Sequence, residues 1–556
     1  MSTQLALPKF SAIREWELAG LSLSNALDKY LVLCEHLGTN ALRENTHPQQ
    51  LATRIESSLE SFHTALGRQL SLVHSALART RNQLASLIYS LPREILTEVF
   101  MNVVYFPLDR GKNSMGETAL HMFHNLYSLQ RVCGSWRDVI LSQGSFWQFA
   151  LIYCQEIPEL LSTQAANLAL KRSKGDLYLA AVMDIVPSSV FCSLPLSPRF
   201  RKINFSSKFY SMVNDFLKQL LEFGPPFNLL ELSLHESGNY PASAADVITI
   251  LSKHSANWDS FCALLKSLSV FRVRGAHFDW DHMAFSSHLV ELHIQDVMMG
   301  SDTTEFAEFL RKLSLASNLR NFKLISVQSF SDLGSLAIVP TEDRIHFPRL
   351  ESLLLEDLSY NTLNTTISYI SPGSHRLTLY LTDQCITLVG HVQQMTLDLD
   401  NLLINLRTVP VHTLVLSGDW EWEQEWLADE MHSLLDSLPQ LQSLKVSRWS
   451  LSRLDCDSIA QPQITGSDRE LFPQLEHLDL SDVRIYDEDS LKRIVTSHPI
   501  KRMALGGSIQ RDTNEFDPIQ GNEPIVDWLR LNVPEFTLRT TYDQPPEYFS
   551  SVWQLW

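Results

Sequence analysis

The chain reads as a multi-domain α/β protein, with helices first and an irregular α/β solenoid after them. Two patterns predict this. Up to about residue 145, apolar residues recur every three or four positions, as on one face of a helix. From about residue 175 to about 505, the pattern apolar-x-x-apolar-x-apolar returns again and again, with helical stretches between its copies. At 556 residues the chain exceeds the roughly 250–300 at which a single core stops growing, so several structural units are expected.

Residues 1–83 are read as N-terminal amphipathic helices. Leu23, Leu27, Tyr30, Cys34 and Leu37 mark the first. After Asn45 and Pro48 a longer stripe runs through Leu51, Ile55, Leu59, Phe62, Leu66, Leu70, Val73 and Leu77, in steps of 4, 4, 3, 4, 4, 3 and 4. Such alternation is either the packed face of a helical hairpin or a coiled-coil seam through which two copies self-associate.

Residues 84–150 form the next unit. In "LPREILTEVF" Pro92 presets helix entry and Glu94 favours the positive end of the helix dipole. Ile95, Leu96, Val99 and Phe100 make a stripe wider than one neighbour needs. A polar insert, "LDRGKNSMGE", follows. Leu126, Leu129, Cys133, Trp136 and Ile140 then predict one amphipathic helix ending near Gly144. Residues 151–174 are taken as a connector.

The solenoid is assigned to 175–506. Its clear triads are Leu229-Leu232-Leu234, Leu289-Leu292-Ile294, Leu350-Leu353-Leu355, Leu441-Leu444-Val446 and Leu475-Leu478-Leu480. Weaker copies begin at Phe200, Leu319, Val392, Val411 and Ile500. Intervals of 30 and 31 residues from Leu292 to Phe322 to Leu353 suit one strand plus one helix per repeat. The triads, with apolar Met299, Tyr360, Leu451 and Ile485 five positions on, resemble the leucine-rich-repeat signature. Where that signature wants Asn or Cys stand Val297, Leu358, Trp449 and Val483, so no asparagine ladder forms and the curvature should be uneven. Between 375 and 415 the spacing shortens and the register is open. Residues 507–556, with Trp553 and Trp556, are expected to cap the last repeat. Strand positions between the core residues point to the inner face. Glu231, Glu291, His293, Lys323, Lys445, His477 and Asp479 are therefore the candidate substrate-binding residues.

The chemistry-bearing motifs are sparse. A net charge of -18 argues against nucleic acid and anionic membranes as partners. The 7 cysteines are scattered and hold no CxxC pair, so reduced thiols in the cytoplasm or nucleus are expected. No signal peptide or membrane-spanning run is seen. Glu117, His121 and His124 lack the spacing of a zinc motif, and there is no P-loop, dinucleotide fingerprint or nucleophile elbow. Asp398 and Asp400 alternate with leucines as solvent-facing strand residues would. No enzyme activity, catalytic residue, metal or cofactor is expected. Trp420, Trp422 and Trp426 alternate with acidic residues, as core packing or as a site for a basic peptide.

The pairing of Leu91-Pro92-x-Glu94-Ile95-Leu96 with Val132-Cys133-x-x-Trp136-Arg137 and a closing Phe146-Trp147 resembles the F-box motif, and the whole chain resembles F-box proteins of basidiomycete fungi. The insert after Phe100 is longer than the family pattern, and Gly134-Ser135 replace its usual basic residues. The resemblance implies a three-helix F-box that binds the Skp adaptor, and through it a cullin, while the solenoid holds a protein substrate. Leu91, Pro92, Ile95, Leu96, Val99, Phe100, Leu129, Val132, Cys133 and Trp136 would be the adaptor-binding residues. A protein-interaction scaffold outside any ubiquitin ligase is the alternative.

Overall fold

The computed structural model describes residues 11–44, 47–105, 113–154, 159–184, 199–222, 228–238, 248–299, 303–330, 344–390, 394–418, 430–462, 472–510, 515–539, 548, 550 and 552–555. The chain forms two compact units, Met1–Leu96 and Thr97–Trp556.

In the first unit α1 spans Ser11–Arg43. The helices α2 (Pro48–Ser58) and α3 (Thr64–Ala85) are joined by a π-helical turn at Leu59–His63. Pro48 sits in the first turn of α2, where its missing N–H costs nothing. Tyr30 of α1 meets Phe62 with ring centroids 5.7 Å apart, and its hydroxyl lies 3.3 Å from His63 Nε2. No described residue of α2 or α3 is buried; of the apolar stripe, Leu66 is half-buried and Ile55, Leu59, Phe62, Leu70, Val73 and Leu77 are exposed.

Helix α4 (Arg93–Tyr105) begins in the first unit and ends in the second. Helix α5 (Met115–Val132) starts on a capping box in which Ser114 and Glu117 satisfy each other's backbone N–H groups. The single helix expected through Cys133 is two. Cys133 is extended (φ -162) and separates α5 from α6 (Gly134–Ser142). Arg137 Nε, 3.1 Å from the Gln130 carbonyl, covers one of the acceptors exposed by the break.

From there strand and helix alternate. They are β1 (Phe149–Tyr153), α7 (Glu159–Arg172), β2 (Leu177–Val182), β3 (Phe200–Ser207), α8 (Tyr210–Glu222) and β4 (Glu231–Glu236). Next come β5 (Thr249–Leu251), α9 (Trp258–Ser267), β6 (Val270–Arg274), β7 (His277–Phe278) and β8 (Glu291–Gln295). Then follow α10 (Thr303–Leu313), β9 (Asn321–Ile325), β10 (Ser352–Glu356), α11 (Tyr360–Tyr369) and β11 (Arg376–Leu381). After them are β12 (Thr387–Val389), β13 (Gln394–Thr396), α12 (Asp400–Leu406), β14 (Val411–Ser417), α13 (Met431–Asp436) and β15 (Ser443–Ser447). The chain continues with β16 (Ser450–Leu451), α14 (Arg453–Ile459), β17 (His477–Ile485), α15 (Glu488–Ser497) and β18 (Arg502–Gln510). It closes with β19 (Phe516–Pro518), α16 (Pro524–Asn532) and β20 (Glu535–Leu538).

Among the described residues one 16-stranded sheet runs in chain order from β1 to β18 and is parallel throughout that run. This is a leucine-rich-repeat-like solenoid. Register stacks the triads: Leu292 opposes Phe322, which opposes Leu353, and Leu444 opposes Leu478. Their side chains enter one continuous core that extends from Ala150 to Val533. Val297, Leu358, Trp449 and Val483 are buried in it, apolar where an asparagine ladder would otherwise run. Each of β8, β9, β10, β15 and β17 is followed or interrupted by a residue with positive φ: Asp296, Ser326, Asp357, Arg448 and Asp482. Asp tolerates that conformation better than most residues. The same turn after β6 uses Gly275 at φ 69.

Three expectations change. The sheet begins at β1, inside and ahead of the supposed connector, because Ala150, Ile152, Leu177 and Leu179 are buried in the same core as the leucine triads. The triad begun by Val392 is not a solenoid strand. Met395 is exposed in the antiparallel pair β12–β13, and β11, with Leu377, Leu379 and Leu381 buried, supplies that repeat. The C-terminal region caps the sheet only in part. While β19 and β20 both flank β18, the last described residues lie against β3 to β11.

Candidate functional site

Two surfaces hold the predicted residues. On the α4 portion of the second unit, Phe100 is 1% exposed and packs against Trp136 of α6 with ring centroids 4.6 Å apart and planes tilted by 50°. Leu129 is buried too, and Asn125 of α5 ties to α4 by donating to the Val103 carbonyl at 2.9 Å. The Trp147 indole donates to the Ile140 carbonyl, with Arg172 4.5 Å above its ring. Around this closed core three aliphatic side chains stay outside. Val99 is 40%, Val103 44% and Val132 56% exposed. Val99 and Val103 are four apart and share one helix face. Cys133 and Trp136 are half-buried. In the first unit Leu91, Pro92 and Ile95 are exposed and Leu96 is buried.

The second surface is the face of the sheet opposite the repeat helices; α5 covers it at β1 and β2 through Met115 and Ala119. The candidates there do not form a free charged patch. Glu231 pairs with Lys202 at 2.7 Å, Glu291 with Arg272 at 2.8 Å and Asp479 with Arg539 at 2.7 Å. His293 opposes Lys323, and burial followed by the charges of Lys323 and Arg272 holds its pKa down to about 3. Lys445 opposes Asp479, and His477 lies between Ser443 and Arg502, both half-buried and distant in the repeat order from His293.

What alternation did not single out is the row that meets the C-terminal segment. Trp553 stacks on His235 at 5.1 Å and approaches His293 at 6.1 Å, while its indole N–H donates to Asn204 Oδ1 at 2.8 Å. Asn204 Nδ2 donates to the carbonyls of Gln554 and Leu555, at 3.1 and 2.5 Å. Gln295 Nε2 donates to the Ser550 carbonyl at 2.9 Å, the Ser550 hydroxyl donates to Glu356, and Tyr548 packs edge-on to Tyr380. Burial pushes the Glu356 carboxyl up to about 7 and the His235 imidazole down to about 3. The one signal in the sequence was the aromatic tail after the last repeat.

Glu117 is spent in the α5 capping box, His121 Nδ1 lies 3.2 Å from Asn125 Nδ2, and among the described residues no three His, Cys, Asp or Glu side chains are grouped as a metal site. Trp420, Trp422 and Trp426 lie outside the described residues, as do Val392 and Trp556.

No family model matches the chain. No curated protein matches it either. Among solved structures, the Rad7 and Elc1 complex of yeast aligns at TM-score 0.34 and 11% identity, over 84% of this chain and 96% of that one. The leucine-rich-repeat protein LegL7 of Legionella pneumophila aligns at TM-score 0.29 and 12% identity, over 72% and 98%. Neither likeness assigns a family.

Proposed function

We propose that this chain is a non-catalytic substrate receptor of a cullin-RING ubiquitin ligase: the α4–α6 region binds a Skp adaptor and the solenoid holds a protein substrate. The observation that carries the reading is the exposure of Val99, Val103 and Val132 on helices that already close a core around Phe100 and Trp136. Exposed aliphatic residues on such a face gain from burial against a partner helix. The resemblance to the F-box motif names the partner.

Co-purification with a Skp adaptor, beside a control F-box protein, tests it. Wild-type protein is expected to capture the adaptor. Val99→Asp with Val103→Asp should weaken capture by roughly tenfold or more, since buried interface anchors are commonly worth about 2 kcal/mol. Both positions are exposed, so helix content and melting temperature should not change. If wild-type protein captures nothing while the control does, the ligase reading fails and a scaffold remains. The largely exposed stripe from Ile55 to Leu77 favours self-association through the first unit. Leu59→Glu with Leu70→Glu should then lower the sedimentation mass, and a mass equal to one chain in the wild type would refute it.

A further inference from the structure

We infer that the face opposite the repeat helices, between β3 and β11, is a groove for an extended peptide bearing a tryptophan followed two residues later by an aliphatic side chain. The chain's own C-terminal segment is its resident, displaceable occupant. The inference does not depend on adaptor binding.

The way the segment is held supports recognition of a ligand. Asn204 and Gln295, both buried, donate to its main-chain carbonyls, a contact any extended peptide can make. Specificity comes from two side chains. Trp553 is clamped between the His235 ring and the Asn204 amide oxygen, and Leu555 enters the same small cluster with Met115, Ala119, Tyr153 and Val182. Between them Gln554 is exposed. A backbone bond from the Met115 N–H to the Trp553 carbonyl, 2.7 Å, closes the anchor.

Displacement is feasible because the segment is not part of the main core. Its described residues add no strand to the sheet, and Trp553 and Leu555 belong to a cluster separate from the one running from Ala150 to Val533. It is also an imperfect fit. Ser233 Oγ is buried without a hydrogen bond. A competing peptide that supplies a partner there satisfies a group the tail leaves unpaired.

The test uses the full chain and a fluorescein-labelled peptide of the sequence from Tyr548 to Leu555, read by fluorescence anisotropy. The Trp553→Ala chain should bind the peptide roughly tenfold or more tighter than wild type, whose groove is occupied. A peptide with alanine in place of its tryptophan should bind neither chain, and adding Asn204→Ala to the Trp553→Ala chain should abolish binding. Equal weak binding to wild-type and Trp553→Ala chains, or binding indifferent to Asn204, overturns the inference. So does loss of cooperative melting in Trp553→Ala, because the segment would then be core. Hydrogen exchange of the wild type gives an independent reading. Excess peptide should speed exchange of the tail amides and leave those of β8 unchanged, and protection of the tail as strong as that of β8, with no response to peptide, would rule out displacement.

Discussion

Glu356 offers the sharpest physical test of how the C-terminal segment is seated. It lies at the end of β10, 5% exposed, with the Ser550 hydroxyl donating to it. Burial is the largest cause of its raised pKa, and the neighbouring Asp357 adds to it. A carboxyl whose pKa rises from 4.5 to about 7 on folding is harder to ionise in place by about 3 kcal/mol, at 1.36 kcal/mol per pH unit. Because the folded value is the higher one, the group favours the folded state below the unfolded pKa, and that contribution disappears as pH rises through about 7. Glu356→Gln keeps the shape and an acceptor for Ser550 but cannot ionise. Urea midpoints of wild type and variant, followed by tryptophan fluorescence, should therefore diverge with pH. Between pH 5 and pH 8 wild type should lose about 2 to 3 kcal/mol relative to Glu356→Gln. Other titrations, including those of His235 and His293, cancel in the difference between the two chains. A difference that stays flat from pH 5 to pH 8 would mean that Glu356 is solvated in the folded chain, and the seat described for Ser550 would be wrong.

Two further outcomes probe the solenoid. At Gly275, φ is 69 and a Cβ would stand 2.1 Å from the Glu236 carbonyl oxygen, so Gly275→Ala should destabilise the chain by at least about 1 to 3 kcal/mol, read as a lower urea midpoint. Phe322, fully buried in β9, should cost about 3 to 5 kcal/mol as Phe322→Ala, while Lys323→Ala next to it should stay within about 1 kcal/mol in the same assay.

Apart from the triad begun by Val392, the strands were legible where three apolar residues fell on the stated spacing, because a strand buried on one face writes its core side chains at every second position. Leu268, Phe271 and Val273 satisfy the same pattern, the last two within β6, so a scan for any apolar residue in place of leucine finds that strand. β11 escapes such a scan, since Ser374 stands where its first apolar residue should be. The break at Cys133 was hidden for the opposite reason. The spacing from Leu126 to Ile140 continues undisturbed across it, and only Gly134 marks the place where one helix ends and the next begins. β1 and β2 carry Ala150, Ala180 and Ala181 in place of large aliphatic residues, which weakens their hydrophobic signature without weakening their burial.

The face opposite the repeat helices was legible in position but not in occupancy. Alternation correctly sends Glu231, Glu291 and His293 to that face, yet it cannot show that Lys202 and Arg272 neutralise the two carboxylates or that Trp553 covers the imidazole. Contacts such as Asn204 with Leu555 join positions 351 residues apart, and no periodic pattern encodes them. A polar rule comes closer. Asn204, Gln295 and Glu356 lie on inward strand positions among apolar neighbours, where an amide or carboxyl left without a partner costs about 1 to 3 kcal/mol. A solenoid that places such groups on its open face requires something to bond them. Here the carbonyls of Ser550, Gln554 and Leu555 and the Ser550 hydroxyl meet that requirement, which is why the tail follows the polar row from β10 back to β3 while β19 and β20 cap the far edge.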